Sequence, residues 1–500
     1  MIGGAAEPVA DGVVPTPGQD EPATAGVATP VDEAAAAAAR RGLVVGPVAL
    51  AVLALAGYVT FSWSQWRRLE TPSWDLGIFT QLAQRYAHLQ EPVVDIKGAG
   101  FDLLGDHFHP LLVLLGLPYR IAPSAFTVMT VQSLLLAWSV WIVAREAARR
   151  RGPLVGSLVG AAYAVSFGLA GAVEVQFHEV AFAVPLLAAS LVALLRRRWW
   201  VAALWAAPLV FVKEDLGATV LVVGLLVAWR ARDDPRARWI GRGLAAWGAV
   251  WLVVTQALIL PALNPRGVFA YADRLDWRGL ATHPWLTVTH LVDDPRKVVT
   301  LLLLVAVTGV VGLRSPVMLV AVPTLLWRFW SGNDGFWGHT WHYSAVLMPV
   351  AFVALLEGVE LAGRSPRPWL RQYSRSAVAV AVTVGALVAP QVAFGRFGDR
   401  DFWAPNPRAE AARGALAAVP AGASVETDVG LMSYLVDHHD VYWMGNDGNP
   451  AADYLVFDSA WVGVPSTPTA LVAWASEHHP QAAYTVTYDE GGYLVARRTS

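Results

Sequence analysis

A succession of apolar runs long enough to cross a lipid bilayer constrains this chain more than any other feature. A helix needs roughly 20 apolar residues to span the hydrocarbon, with about 17 to 25 as the usual range. Runs of that length lie at 43–63, 124–144, 153–173, 243–263 and 376–394. Shorter runs at 180–195, 199–212, 216–229, 298–313, 316–330 and 343–362 add spans where flanks or neighbours help, for a total of about eleven. Composition agrees: 55% of the residues are hydrophobic, 23 are Trp and the mean hydropathy is +0.44, which exceeds what a soluble core requires. The expected fold class is an all-α polytopic transmembrane bundle in the cell membrane, carrying a small C-terminal soluble α/β domain.

Arginine placement orients the bundle, because short cytoplasmic loops are enriched in basic residues. Arg40 and Arg41, Arg149 to Arg151, Arg196 to Arg198, Arg230 to Arg242 and Arg364 to Arg375 alternate with basic-poor connections. This puts the N-terminus in the cytoplasm and the C-terminus outside, although Arg67, Arg68 and the basic residues between 264 and 297 run against the pattern. Residues 1–39, rich in Ala, Pro, Gly and acids without periodicity, read as a disordered cytoplasmic tail. No basic segment with a small-residue cleavage site precedes the first apolar run, so no cleaved signal peptide is expected. The transmembrane domain is assigned to 40–396, with a first outer loop at 64–123 whose run 111–119 is taken as interfacial or re-entrant. From 397 to 500 hydropathy drops and strand-like runs appear: ASVET, DVYWM, ADYLVFD, AAYTVTY and GYLVARR. Helical pieces at 407–418 and 467–477 lie between some of them, and DEGG at 489–492 signals a hairpin turn. No Gly-rich phosphate loop is present.

A net charge of −2 argues against nucleic acid as a partner, since phosphate binding needs a concentrated basic face. The absence of cysteine excludes disulfides, thiolate catalysis and sulfur-ligated metals. Of the 37 basic residues only Lys97, Lys213 and Lys297 are lysines, which singles each of them out.

On this topology five polar clusters fall on the outer side and can converge on one cavity: Asp75, the Asp106 to His109 run, His178 with Glu179, Lys213 to Asp215, and the His339 to Tyr343 run. Asp75 precedes apolar residues Ile78, Phe79, Leu82, Tyr86 and Leu89 at three- and four-residue steps, the mark of an amphipathic helix on the membrane surface. A capping role at the start of that helix explains an Asp equally well. The stretch 199–229 is bounded by arginines at both ends, so it goes out and returns. Each limb of 14 residues reaches about 21 Å, short of a roughly 30 Å core. Lys213, Glu214 and Asp215 at its turn are therefore expected below the outer membrane surface. Charges at that depth are costly and usually functional, while a self-neutralising turn is the plainer account. His107 and His109, two apart before Pro110, can point the same way on an extended segment. With Asp106 they make a candidate site for a divalent metal, Mn, Mg, Ca or Zn; hydrogen-bonded interface histidines fit the same pattern.

The ordered motifs WDLGIFTQ, GDHFHP, FHEVAF, KEDLG and HYSAVLMP make the chain resemble an uncharacterised prokaryotic membrane-protein family, a domain of unknown function, over most of 43–394. That family is similar to the GT-C superfamily of lipid-linked-sugar glycosyltransferases. The resemblance implies a GT-C-like bundle that transfers a sugar from a polyprenyl-phosphate donor in the bilayer to an extracytoplasmic glycan, lipid or protein. Asp75 matches the acidic residue of the first outer loop and is the expected catalytic base. Lys213 would hold the departing lipid phosphate, with Glu214 and Asp215 orienting it or binding acceptor or metal. His178, Glu179, His342 and Tyr343 join the expected substrate site. No second acid adjoins Asp75, a departure from the superfamily's acidic pairs. A transporter or flippase of a lipid or lipid-linked glycan, or a non-catalytic scaffold, would also need many spans and buried charges. Internal repeats with broken midplane helices, frequent in transporters, are not seen.

Overall fold

The structure is a computed structural model that describes residues 30–267, 282–283 and 285–500. Contacts divide the chain into Met1–Gly42 and Leu43–Ser500. In the first unit the described part is helical from Pro30, whereas the tail was expected to lack structure through residue 39. The six alanines from Ala34 to Ala39 explain the difference: alanine has the highest helix propensity, and a helix propagates more easily than it nucleates. Residues 1–29 and the middle of the basic connection at 264–297 lie outside the described residues.

Among the described residues four helices are long and apolar enough to cross a membrane: Gly42–Arg67, Ala125–Arg151, Pro235–Leu263 and His342–Gly363. Two further pairs reach that length as bent units, Pro153–Ala164 with Phe167–Val175 at 42°, and Pro368–Ser374 with Ala377–Gln391 at 49°. The expected run 153–173 is thus one broken helix, interrupted at Val165 and Ser166. Shorter apolar helices, Val180–Leu195, Trp199–Phe211, Leu216–Arg230 and Pro316–Trp330, fill the bundle. His342–Gly363 is the most enclosed of the long helices and Gly42–Arg67 the most peripheral.

The out-and-back stretch at 199–229 has the expected form, with helix Trp199–Ala206 extended by a 3₁₀ turn to Phe211, then Lys213 to Asp215, then helix Leu216–Arg230. That last helix packs backbone to backbone on Pro235–Val254. A methyl group added at Gly224 would stand 2.3 Å from the Ala245 nitrogen, and one at Gly241 2.3 Å from that of Ala228. Small residues at such crossings let two helices approach closely in lipid, where no hydrophobic effect drives them together.

The C-terminal domain carries a five-stranded sheet: β1 Ser424–Thr427, β2 Asp440–Trp443, β3 Tyr454–Asp458, β4 Tyr484–Glu490 and β5 Tyr493–Arg498. The order is β2-β1-β3-β5-β4, parallel on the β1 side and antiparallel from β3 onward. All five strand-like runs of the sequence are strands, and Gly491 and Gly492, both at positive φ, make the turn of the β4-β5 hairpin.

The helix that follows the first span, Trp74–Ala87, departs from expectation. Instead of lying on the membrane surface it is wedged between the bundle and the C-terminal domain, with Leu76 to Ala83 buried on every face. Its polar residues are used for docking: Gln81 donates to the Val441 carbonyl at 3.2 Å and accepts from the Ile96 nitrogen at 3.1 Å. Ser73 meets Ser433 at 2.7 Å, the Tyr434 hydroxyl bonds Thr71 at 2.6 Å, and Trp74 packs edge-on against Trp443 at 4.7 Å.

Candidate active site

Asp75 sits in the first turn of this helix, after Ser73 at the cap position. Its role is therefore not that of an N-cap. A carboxylate there is favoured by the helix dipole, and its side chain is 41% exposed, against 13% or less for Asp106, Glu179 and Glu214. It opens onto a cavity of about 360 Å³.

Eleven residues of the five clusters line this cavity: Asp75, Asp106, His107, His109, His178, Glu179, Lys213, Glu214, Asp215, His342 and Tyr343, whereas His339, Thr340 and Trp341 are not among its lining residues. Most are held in pairs. His178 Nε2 stands 3.2 Å from Asp75 Oδ2, close enough to pair but without hydrogen-bond alignment. Lys213 Nζ binds Glu179 at 2.7 Å. Glu214 accepts from His107 Nδ1 at 2.8 Å and from the Phe108 amide at 3.2 Å, so it orients His107 rather than Lys213. Lys97 reaches Asp106 at 3.1 Å.

The backbone that delivers His178 is strained. Gln176, next to the broken helix, has φ 67°, a region costly for a side chain with Cβ. It is locked there by Ser62, which donates to its side-chain oxygen at 3.2 Å, and by a close hydrogen bond from its side-chain Nε2 to Gln65 Oε1. Its carbonyl meets His178 Nδ1 at 3.0 Å. Two side chains of the first long helix thus fix the ring that faces Asp75.

The extended segment before Pro110 places both histidines at the cavity, yet they diverge. Burial works against a His107 cation, but the Glu214 carboxylate outweighs it and raises the imidazole above its ordinary value. Burial pushes His109 down to about 4, so its ring is neutral near pH 7, and its buried Nδ1 has no hydrogen-bond partner. Asp106, His107 and His109 are not gathered as a metal site: Asp106 turns to Lys97 and His107 to Glu214. Among the described residues no group of three His, Asp or Glu side chains is arranged to hold a metal ion, and no step below is routed through one.

Other buried polar atoms at the cavity also find no hydrogen-bond partner among the described residues: Asp215 Oδ1, His342 Nδ1 and Trp327 Nε1. Such atoms are costly unless something binds them, and they gather around one space.

Sequence reasoning missed several lining residues. Gln256 projects from a π turn, Thr255–Ile259, inside a long helix, a distortion frequent at functional sites and invisible in hydropathy. Ser331, Asn333 and Phe336 come from a loop held by Arg328. That fully buried guanidinium donates to the carbonyls of Phe336 at 2.8 Å and Gly338 at 2.7 Å. Lys97 carried a legible signal, the rarity of lysine.

A helical bundle with a charged cavity under an α/β domain defines a polytopic membrane protein. The chain belongs to the family described as "Predicted membrane protein (DUF2079)", which matches residues 65–496. No curated protein matches the sequence. Among solved structures the fold is similar to that of ArnT from Cupriavidus metallidurans bound to undecaprenyl phosphate, with TM-score 0.51 and 11% identity, over 90% of this chain and 97% of that one.

Proposed function

We propose that this protein is a membrane glycosyltransferase that moves a sugar from a polyprenyl-phosphate donor to a hydroxyl of an extracytoplasmic acceptor. The observation that carries the reading is Asp75, the accessible carboxylate of a cavity whose other paired acids are closed off. Likeness to a fold that accommodates undecaprenyl phosphate in ArnT supports a lipid-phosphate donor. The orientation expected from arginines places cavity and C-terminal domain outside the cytoplasm, with the membrane domain ending near residue 396.

In this reading the acceptor oxygen attacks the anomeric carbon while Asp75 takes its proton. The bond from that carbon to the phosphate oxygen breaks, and polyprenyl phosphate leaves with the electron pair. The lysines at the cavity, Lys213 and Lys97, offset the charge growing on the phosphate in a partly dry site. His178 positions Asp75, and Tyr343, which packs on His342, supplies a flat surface for a sugar ring.

The test is incubation of protein reconstituted in liposomes with a panel of radiolabelled polyprenyl-phosphate sugars and envelope acceptors. Donor consumption is expected, with Asp75→Asn losing transfer by about 10²- to 10⁴-fold while still binding the donor. A folded protein that consumes no donor but moves lipid between leaflets would replace this reading with transport. One that does neither would leave a scaffold.

A further inference from the structure

A second cavity of about 470 Å³ lies apart from Asp75, bounded by helix Phe167–Val175, Thr340 and the segment from Pro390 to Asp399. Three charged residues line it, Glu174, Arg396 and, at the rim, Asp399. Among the described residues neither Glu174 nor Arg396 forms an ion pair. Arg396 instead lies beside two neighbouring aromatic rings, its guanidinium carbon 5.8 Å from the Phe61 ring centre and 5.1 Å from that of Phe402. Cation–π attraction at these rings helps hold the guanidinium, whose N–H groups suit a phosphate.

The cavity's depth in the bilayer follows from its neighbours. Phe61 stands near the end of the span Gly42–Arg67, and Gln391 ends the bent pair Pro368–Gln391. Trp63, Trp341 and Trp403, between 45% and 51% exposed, surround the same region. Indoles at the ends of apolar helices mark the headgroup layer. Exposed Pro390, Gln391 and Asp399 rim the opening.

We infer that this cavity binds the headgroup of a membrane phospholipid bearing both a phosphodiester and a primary ammonium, as in phosphatidylethanolamine. The phosphate meets Arg396 and the ammonium donates to Glu174. A carboxylate facing the site disfavours purely anionic headgroups, and a trimethylammonium has no N–H to offer it. The volume suits such a headgroup, since small-molecule sites typically enclose roughly 300 to 1,000 Å³.

Native mass spectrometry of the detergent-purified full chain, titrated separately with phosphatidylethanolamine, phosphatidylglycerol and phosphatidylcholine, tests this. Phosphatidylethanolamine is expected to bind at least about tenfold more tightly than either of the others. Arg396→Met should abolish that site, and Glu174→Gln should reduce phosphatidylethanolamine to the affinity of phosphatidylglycerol. Equal binding of the three lipids, or an unchanged preference in Glu174→Gln with unaltered melting, overturns the assignment. Soluble phosphoethanolamine is the second arm: competition at lipid-equivalent concentrations would overturn the lipid origin of the headgroup. None of these measurements depends on glycosyl transfer.

Discussion

His178 and His342 lie face to face, ring centres 3.5 Å apart and planes 23° from parallel, with the outer nitrogen of His178 turned to Asp75. Two imidazolium ions at that separation would repel strongly in a partly dry site. The stack therefore carries at most one positive charge, and the carboxylate of Asp75 favours it on His178. Replacing His178 by Phe keeps a ring for His342 to stack on and removes the partner of Asp75. Transfer is expected to slow by about tenfold to a hundredfold with KM for the donor nearly unchanged, since only the positioning of the base is lost. Steady-state kinetics in liposomes separates the two constants.

The buried pair of Lys213 and Glu179, 2.7 Å apart, behaves asymmetrically. Removing one partner strands the other charge, at a cost of about 3 to 5 kcal/mol, whereas replacing both by apolar residues of similar volume is often near neutral. Glu179→Gln should therefore lower the melting temperature markedly. The double variant Lys213→Met with Glu179→Leu should restore most of it while losing donor binding. A double variant that still binds polyprenyl phosphate would remove Lys213 from the site.

Helix Phe167–Val175 approaches the turn bearing His342 without room for another carbon. A methyl group at Gly168 would stand 2.4 Å from the Ser344 carbonyl oxygen. Gly168→Ala should displace that turn, cost about 1 to 3 kcal/mol as overpacking does, and reduce transfer through misplaced His342. Thermal melting and activity are expected to fall together.

Asp428, just beyond β1, is buried, and burial raises its carboxyl from 3.8 to about 6 despite amide donors from Gly430 and Asp458. Between those values the folded state holds a proton that the unfolded state releases. Its contribution to stability is full below about 4 and is lost as the pH rises toward 6. Asp428→Asn should flatten that part of the stability profile, measured by denaturant melting of the full chain across pH 4 to 7. A slope unchanged by the substitution would assign the pH response to other groups.

Much of the architecture was legible because its signals are local. Five strands and the Gly491–Gly492 turn follow from alternation and turn chemistry, and the short limbs at 199–229 follow from length set against membrane thickness. The polar clusters were legible as charges set between apolar runs, and residues from all five line one cavity. The pairing inside the cavity was not legible: that Glu214 turns to His107 and Glu179 to Lys213 depends on packing between residues up to 107 positions apart. Nor was the burial of helix Trp74–Ala87, whose polar face suggests water until the distant segment Leu431–Trp443 is seen covering it. The bend at Val165 and the π turn at Gln256 leave apolar runs intact, so hydropathy passes over both.

The backbone contact of Leu216–Arg230 with Pro235–Val254 has a mechanical meaning. With Gly224 and Gly241 each pressed against the opposite main chain, neither helix can slide or rotate without a clash, so the Lys213 to Asp215 turn is carried on a stiff strut. A ligand entering the cavity cannot make room by pushing that wall back. Any give must come from the opposite side, where Ser331 to Tyr343 hangs from Arg328 by carbonyl bonds that can be remade one at a time.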